Sequence, residues 1–119
     1  MATPNIVNVA TINAKNATGA VTTSRATAVD VSADKVAKIN TILICNIDGS
    51  NAANITVEVS VDNGSNYVAI GSTISVPADA TLSFLENPIY LDETDLLAVT
   101  ASANSDLTYF ISYEELDDA

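Results

Sequence analysis

No histidine and no tryptophan occur in this 119-residue chain, and cysteine and methionine appear once each. Without histidine there is no Ser-His-Asp or Cys-His nucleophile, and the usual general base near neutral pH is missing. Zinc and other transition-metal sites lose their commonest ligand. A carboxylate-only glycosidase would need aromatic platforms, and six Phe and Tyr side chains supply few. The composition therefore points away from an enzyme and calls for no cofactor. The single Cys45 cannot close an internal disulfide. Its place in Ile39-Asn40-Thr41-Ile42-Leu43-Ile44-Cys45 reads as a small buried hydrophobe.

Positive charge is equally scarce. The four basic residues, Lys15, Arg25, Lys35 and Lys38, all fall in the first third of a chain of net charge −11. Residues 1–38 carry +2; the thirteen acids beyond Lys38 leave the remainder at −13. Phosphate contacts need Lys and Arg to replace counterions, so such a body is not expected to bind nucleic acid. No apolar run approaches the roughly 20 residues of a membrane-spanning helix. A basic region followed by an apolar core is also absent from the N-terminus, so a cytoplasmic origin without a signal peptide is expected.

What the chain does have is alternation. In Ile55-Thr56-Val57-Glu58-Val59-Ser60-Val61 the β-branched apolar residues share one parity, as a half-buried strand requires. Similar runs recur every eight to twelve residues from about Arg25, separated by turn chemistry. The pattern predicts an all-β fold, an antiparallel two-sheet sandwich of about eight strands with under one tenth helix. Jelly-roll and Ig-like topologies share this alternation, and both stay open.

Asp62-Asn63-Gly64-Ser65 is the strongest hairpin signal, because Asn-Gly suits a type I′ turn. Tyr67 to Ile70 and Thr73 to Val76 read as one strand, or as two with a break at Gly71. The expected inward set is Val29, Val31, Ile39, Leu43, Ile55, Val57, Val59, Val61, Ile74, Val76, Leu82, Phe84, Leu97, Val99 and Ile111.

Three segments are expected: an N-terminal extended arm over residues 1–24, the sandwich over 25–116 and an acidic tail over 117–119. The arm contains Lys15 and no acid, with Arg25 at its junction. Ile6, Val7, Val9 and Ile12 could add a strand to a neighbouring subunit, or pack along the chain's own sandwich as an edge strand. In the central strand Ile42, Leu43 and Ile44 place apolar groups on both faces. Ile42 and Ile44 are therefore expected to form an outward stripe covered by a partner, and a homo-oligomer, by preference a trimer, would hide it. Asp62 with Asn66, Asp92-Glu93-Thr94-Asp95 and Glu114-Glu115-Leu116-Asp117-Asp118 could attract calcium. None has the spacing of a calcium loop, and exposed turns are the expectation.

The stretch from Ala28 to Leu116 resembles small β-sandwich structural proteins of tailed-bacteriophage virions. The resemblance lies in Val29-Asp30-Val31-Ser32-Ala33-Asp34-Lys35-Val36-Ala37-Lys38-Ile39, Ile44-Cys45-Asn46 and Val76-Pro77-Ala78-Asp79-Ala80-Thr81-Leu82. It continues through Ile89-Tyr90-Leu91-Asp92-Glu93-Thr94-Asp95 and Ile111-Ser112-Tyr113-Glu114-Glu115-Leu116. It departs from the family at Ser32-Ala33-Asp34, where a Pro-Ala-Gly turn is usual. The resemblance implies a capsid decoration or cement protein whose partner is the major capsid protein or another virion protein. Neck, tail and fibre components are the alternatives it leaves. A carbohydrate-binding adhesin module is an alternative of another class, and it would need several exposed aromatics.

Overall fold

Nine strands and no helix account for the regular structure of the described residues, Val7 and 9–118, in the computed structural model. In chain order they are β1 (Val9–Val21), β2 (Ala26–Asp30), β3 (Lys35–Asn46), β4 (Ala53–Ser60) and β5 (Val68–Val76). Then follow β6 (Thr81–Ser83), β7 (Ile89–Leu91), β8 (Leu96–Ala101) and β9 (Leu107–Asp118). One sheet has the order β1-β9-β3, with β6 and β7 both pairing along the far edge of β3; the other is β2-β8-β4-β5. All pairs are antiparallel. The pairs β1·β9, β2·β8, β3·β6/β7 and β4·β5 nest within one another, a pattern compatible with a jelly roll. An Ig-like sandwich places its first two strands in one sheet. Here β1 and β2 lie in different sheets.

The alternation put the apolar faces together as expected. Val29, Val31, Ile39, Ile55, Val57, Val76, Leu97, Val99 and Ile111 are buried between the sheets. Val59, Ile74, Leu82 and Phe84 pack against them from partly buried positions. Asn63 and Gly64 have φ of 58° and 90°, as both central residues of a type I′ turn must. Val61 does not follow: it is 72% exposed, because β4 ends at Ser60 and Val61 already belongs to the loop.

The central strand is corrected in a more consequential way. Ile42 and Ile44 are completely buried in the core, and Leu43 is the half-buried residue on the outer face. The cause is a bulge. Ile39 pairs with Tyr113 and Thr41 with Ser112, so Asn40 is an extra residue on β3. One inserted residue inverts every side chain beyond it. Ala37 and Ile39 face inward before the bulge, and Ile42, Ile44 and Asn46 after it. Asn40 Nδ2 donates to Glu114 Oε1 at 3.2 Å, which ties the bulge to β9.

Of the two courses open to the arm, residues 9–21 take the second and pack along the chain's own sandwich as an edge strand. Residues 9–21 form β1, in register with β9 from Val9 opposite Asp118 to Val21 opposite Leu107. Val21 belongs to the core. β9 in turn runs to Asp118, so Asp117 and Asp118 extend a strand. At about 3.3 Å per residue, β1 spans roughly 43 Å. β1, β3 and β9 are therefore longer than any strand of the other sheet, consistent with overall extents of 49 × 27 × 20 Å.

Candidate interaction surface

β1 is an edge strand with β9 on one side; among the described residues nothing pairs with its other side. Its odd-numbered side chains from Asn13 to Val21 face the same way as the core residues of β9. Ala17 packs on the core, and Gly19 lies against Tyr109. A Cβ at Gly19 would sit 3.0 Å from the Tyr109 ring, so the glycine lets the aromatic cover the strand. Beyond the core the same face turns polar. Glu115 Oε1 receives Lys15 Nζ at 3.2 Å and Lys35 Nζ at 3.3 Å, which joins β1, β9 and β3. Burial alone would push the Glu115 carboxyl up, but the two ammonium groups outweigh it and hold it below the usual glutamate range. On the opposite face Ile12 is 57% exposed and lies beside Leu116, its partner in the ladder.

The structure places the predicted interaction residues unevenly. Val9, Ile12 and Lys15 share β1, and Val7 precedes it at 91% exposed; Ile6 lies outside the described residues. Arg25 is elsewhere, between β1 and β2. Its guanidinium makes a two-pronged contact with Glu58, at 2.9 and 3.0 Å, and stacks 4.0 Å over the Tyr67 ring. Lys15 and Arg25 thus both have carboxylate partners within the fold. Ile42 and Ile44 contribute nothing to the surface, and the outward stripe expected to drive a three-fold contact does not exist there.

The other acidic clusters have structural partners. Asp62 accepts hydrogen bonds from Asn66 Nδ2 (2.9 Å), the Asn66 N–H (2.8 Å) and Ser60 Oγ (2.9 Å). Those bonds, the Asn66 side chain first, pull its pKa down and close the loop between β4 and β5. Asp92-Glu93-Thr94-Asp95 is not the exposed turn expected. Glu93 and Asp95 are each only 7% exposed. The turn docks on the end of β2 through Thr94 N–H to Val31 O at 2.8 Å and Val31 N–H to Asp95 O at 3.0 Å. Glu93 Oε2 accepts the Asp34 N–H at 2.8 Å, and burial pushes the Asp95 carboxyl up. Among the described residues no three acidic, histidine or cysteine side chains stand close enough to hold a metal ion. No described helix is long and apolar enough to cross a membrane.

The sequence reading missed how unlike the four sheet edges are. β6 and β7 have three residues each, and β2 has five with a register shift between Thr27 and Val29. β5 has nine, but its register with β4 shifts twice and Thr73 sits at φ 47°. Short strands and bulges are how proteins blunt sheet edges. β1 has thirteen residues and a single irregularity, between Val9 and Thr11. No local charge signal marks the difference, since residues 9–21 carry only Lys15 and residues 68–76 carry no charge at all.

No protein-family model matches the chain, and no curated protein matches it. Solved structures do resemble its fold. One belongs to Bacillus endospore appendages, described as a family of disulfide-linked pili. It superposes with a TM-score of 0.56 at 14% identity, over 92% of this chain and 88% of that one. Another is a pentameric capsid protein isolated from metagenomic phage sequences, with a TM-score of 0.42 and 13% identity. That match covers 86% of this chain and 62% of the capsid protein. At these identities the likeness to the appendage subunit is one of fold, and it is a fold found in a structural, assembly-forming protein.

Proposed function

We propose that this chain is a non-enzymatic virion structural protein that decorates the outside of a bacteriophage capsid. The observation that carries the reading is the pairing of a filled two-sheet body with one long, acid-free open edge, β1. Such a body offers strand addition to a neighbouring subunit and little chemistry. Main-chain hydrogen bonds then supply the contact, with small demands on side-chain specificity. The charge layout supports an outward position. An acidic surface whose Lys15 and Arg25 are already paired has little with which to hold packaged DNA. The jelly-roll-like nesting and the sequence resemblance to tailed-phage structural proteins support the same class of role.

The tyrosines argue against a sugar-binding module. Tyr109 and Tyr113 pack on the core and Tyr67 lies beneath Arg25, which leaves Tyr90 as the one exposed tyrosine. With Phe110, 40% exposed, it makes two exposed aromatic side chains among the described residues, short of the several that a platform needs.

Quantitative mass spectrometry of purified virions tests the placement. Hundreds of copies per particle, removable without loss of the head, are expected of a decoration protein. A dozen copies or fewer would assign the chain to the neck, tail or fibre instead.

A further inference from the structure

We infer that β1 pairs antiparallel with β1 of a second copy of this chain, about a two-fold axis at Asn16. The proposal deepens the reading of β1 as the assembly edge and rests on it; it names the chain itself as the partner there. Three observations converge. First, among the described residues β1 is the one sheet edge that is long and, from Thr11 to Val21, free of bulges, since β2, β6 and β7 are short and the register of β5 shifts twice. Second, two bodies of net charge −11 repel each other, and approach is least opposed where acid is missing. β1 meets that condition, as do β5, β6 and β7, and is the longest edge that does: residues 9–21 contain no Asp or Glu, and Lys15 is held by Glu115.

The third observation sets the register. The regular part of β1 runs from Thr11 to Val21, opposite Asp117 to Leu107 without a shift. This stretch is centred on Asn16. Antiparallel pairing about that residue sets Asn16 against its own copy and Ile12 against the partner's Ala20. Lys15 then meets the partner's Ala17, whereas centring one residue earlier would set Lys15 against itself. The exposed even-numbered face is Ile12, Ala14, Asn16, Thr18 and Ala20. Apart from Ile12 and Asn16 these side chains are Ala and Thr, small enough to let two edges close to hydrogen-bonding distance. The pairing would join two β1-β9-β3 sheets into one continuous sheet.

Sedimentation equilibrium of the full chain tests this, with Asn16→Lys and Asn16→Asp as variants at an exposed position. The wild type should dimerise. Dimerisation should strengthen from about 0.05 M to about 0.5 M salt, because salt screens the repulsion between the acidic bodies and leaves the ladder intact. Asn16→Lys alone and Asn16→Asp alone should each weaken the dimer about tenfold or more, through like charges across the axis. A mixture of the two variants should restore it. Circular dichroism and thermal unfolding serve as the folding control. A wild type that stays monomeric throughout, or a dimer indifferent to both variants, would overturn the proposal. So would a mixture that fails to recover. A monomeric protein that still coats particles would remove the self-pairing alone, whereas a dimer absent from particles would remove the decoration role alone.

Discussion

The two long outer strands of this sandwich, β1 and β5, reach the same end by opposite means. β5 is broken by two register shifts and a left-handed Thr73, and it is pinned by Phe84, which follows β6 and donates its N–H to Ile42 O of the facing sheet. The ring lies so close over Gly71 that an added Cβ would meet Cε1 at 2.3 Å. β1 is regular over eleven paired residues and is held by its length, by Tyr109 beside Gly19 and by the Lys15–Glu115 contact. An edge locked into the core by packing is irregular and closed to further pairing. An edge held mainly by its own ladder stays straight and open. The two glycines express this difference, and substitutions there test it most directly.

The largest effect is expected at Gly71. Gly71→Ala drives a methyl group into the Phe84 ring, and the overpacking should cost about 2–3 kcal/mol in chemical denaturation. Phe84→Leu in the same chain should recover part of that loss. Independent, additive costs for the two changes would show that the ring does not pin β5.

Next comes Glu115. Glu115→Gln leaves Lys15 and Lys35 facing each other without their carboxylate and should cost on the order of 1 kcal/mol at neutral pH. Because the folded carboxyl sits below its ordinary value, its contribution is complete at neutral pH and is lost as the pH falls through the folded value. The wild type should thus lose more stability on acidification than Glu115→Gln does. Equal losses in pH-dependent urea melts would exclude the three-strand ion cluster as a source of stability.

Gly19→Ala should be nearly silent. The neighbouring Tyr109 atoms include the free end of its ring, which can give way by tenths of an ångström, and alanine suits a strand interior better than glycine. The two terms should cancel to within about 0.5 kcal/mol. A loss at Gly19 as large as at Gly71 would end the contrast between the edges. The smallest effect belongs to Arg25→Ala on the exposed face beside β5. Despite two short contacts with Glu58, a surface ion pair in water contributes little, and the melting temperature should not move measurably.

Much of the fold was legible because alternation is a local property. Ile55 to Val61 reads as a strand, and Asn63-Gly64 as a type I′ turn, from neighbours within a few residues. The surface was less legible. Ile42 and Ile44 were assigned outward by counting parity along β3, and parity survives only while the ladder has no bulge. Nothing adjacent to Asn40 announces the extra residue; it exists because Ile39 and Thr41 both find partners on β9, about seventy residues away. Which of its two courses the arm takes was illegible for a similar reason. Residues 9–21 look weakly patterned because most of one face is Ala, Thr and Asn, and only the twelve-residue strand β9 supplies the ladder that orders them.

By itself, then, the amino-acid order determined that this chain is all-β, where most strands beyond Arg25 lie, and that its positive charge sits at one end. Each follows from backbone sterics, side-chain period or composition, which need no distant partner. The tertiary structure decided which face of β3 is buried, that Glu93 and Asp95 are drawn under the β2–β3 turn, and that β1 closes one edge of a sheet while leaving another open. These are matters of register and docking. They depend on hydrogen bonds between residues far apart in the chain, and a single inserted residue in one strand is enough to reverse them.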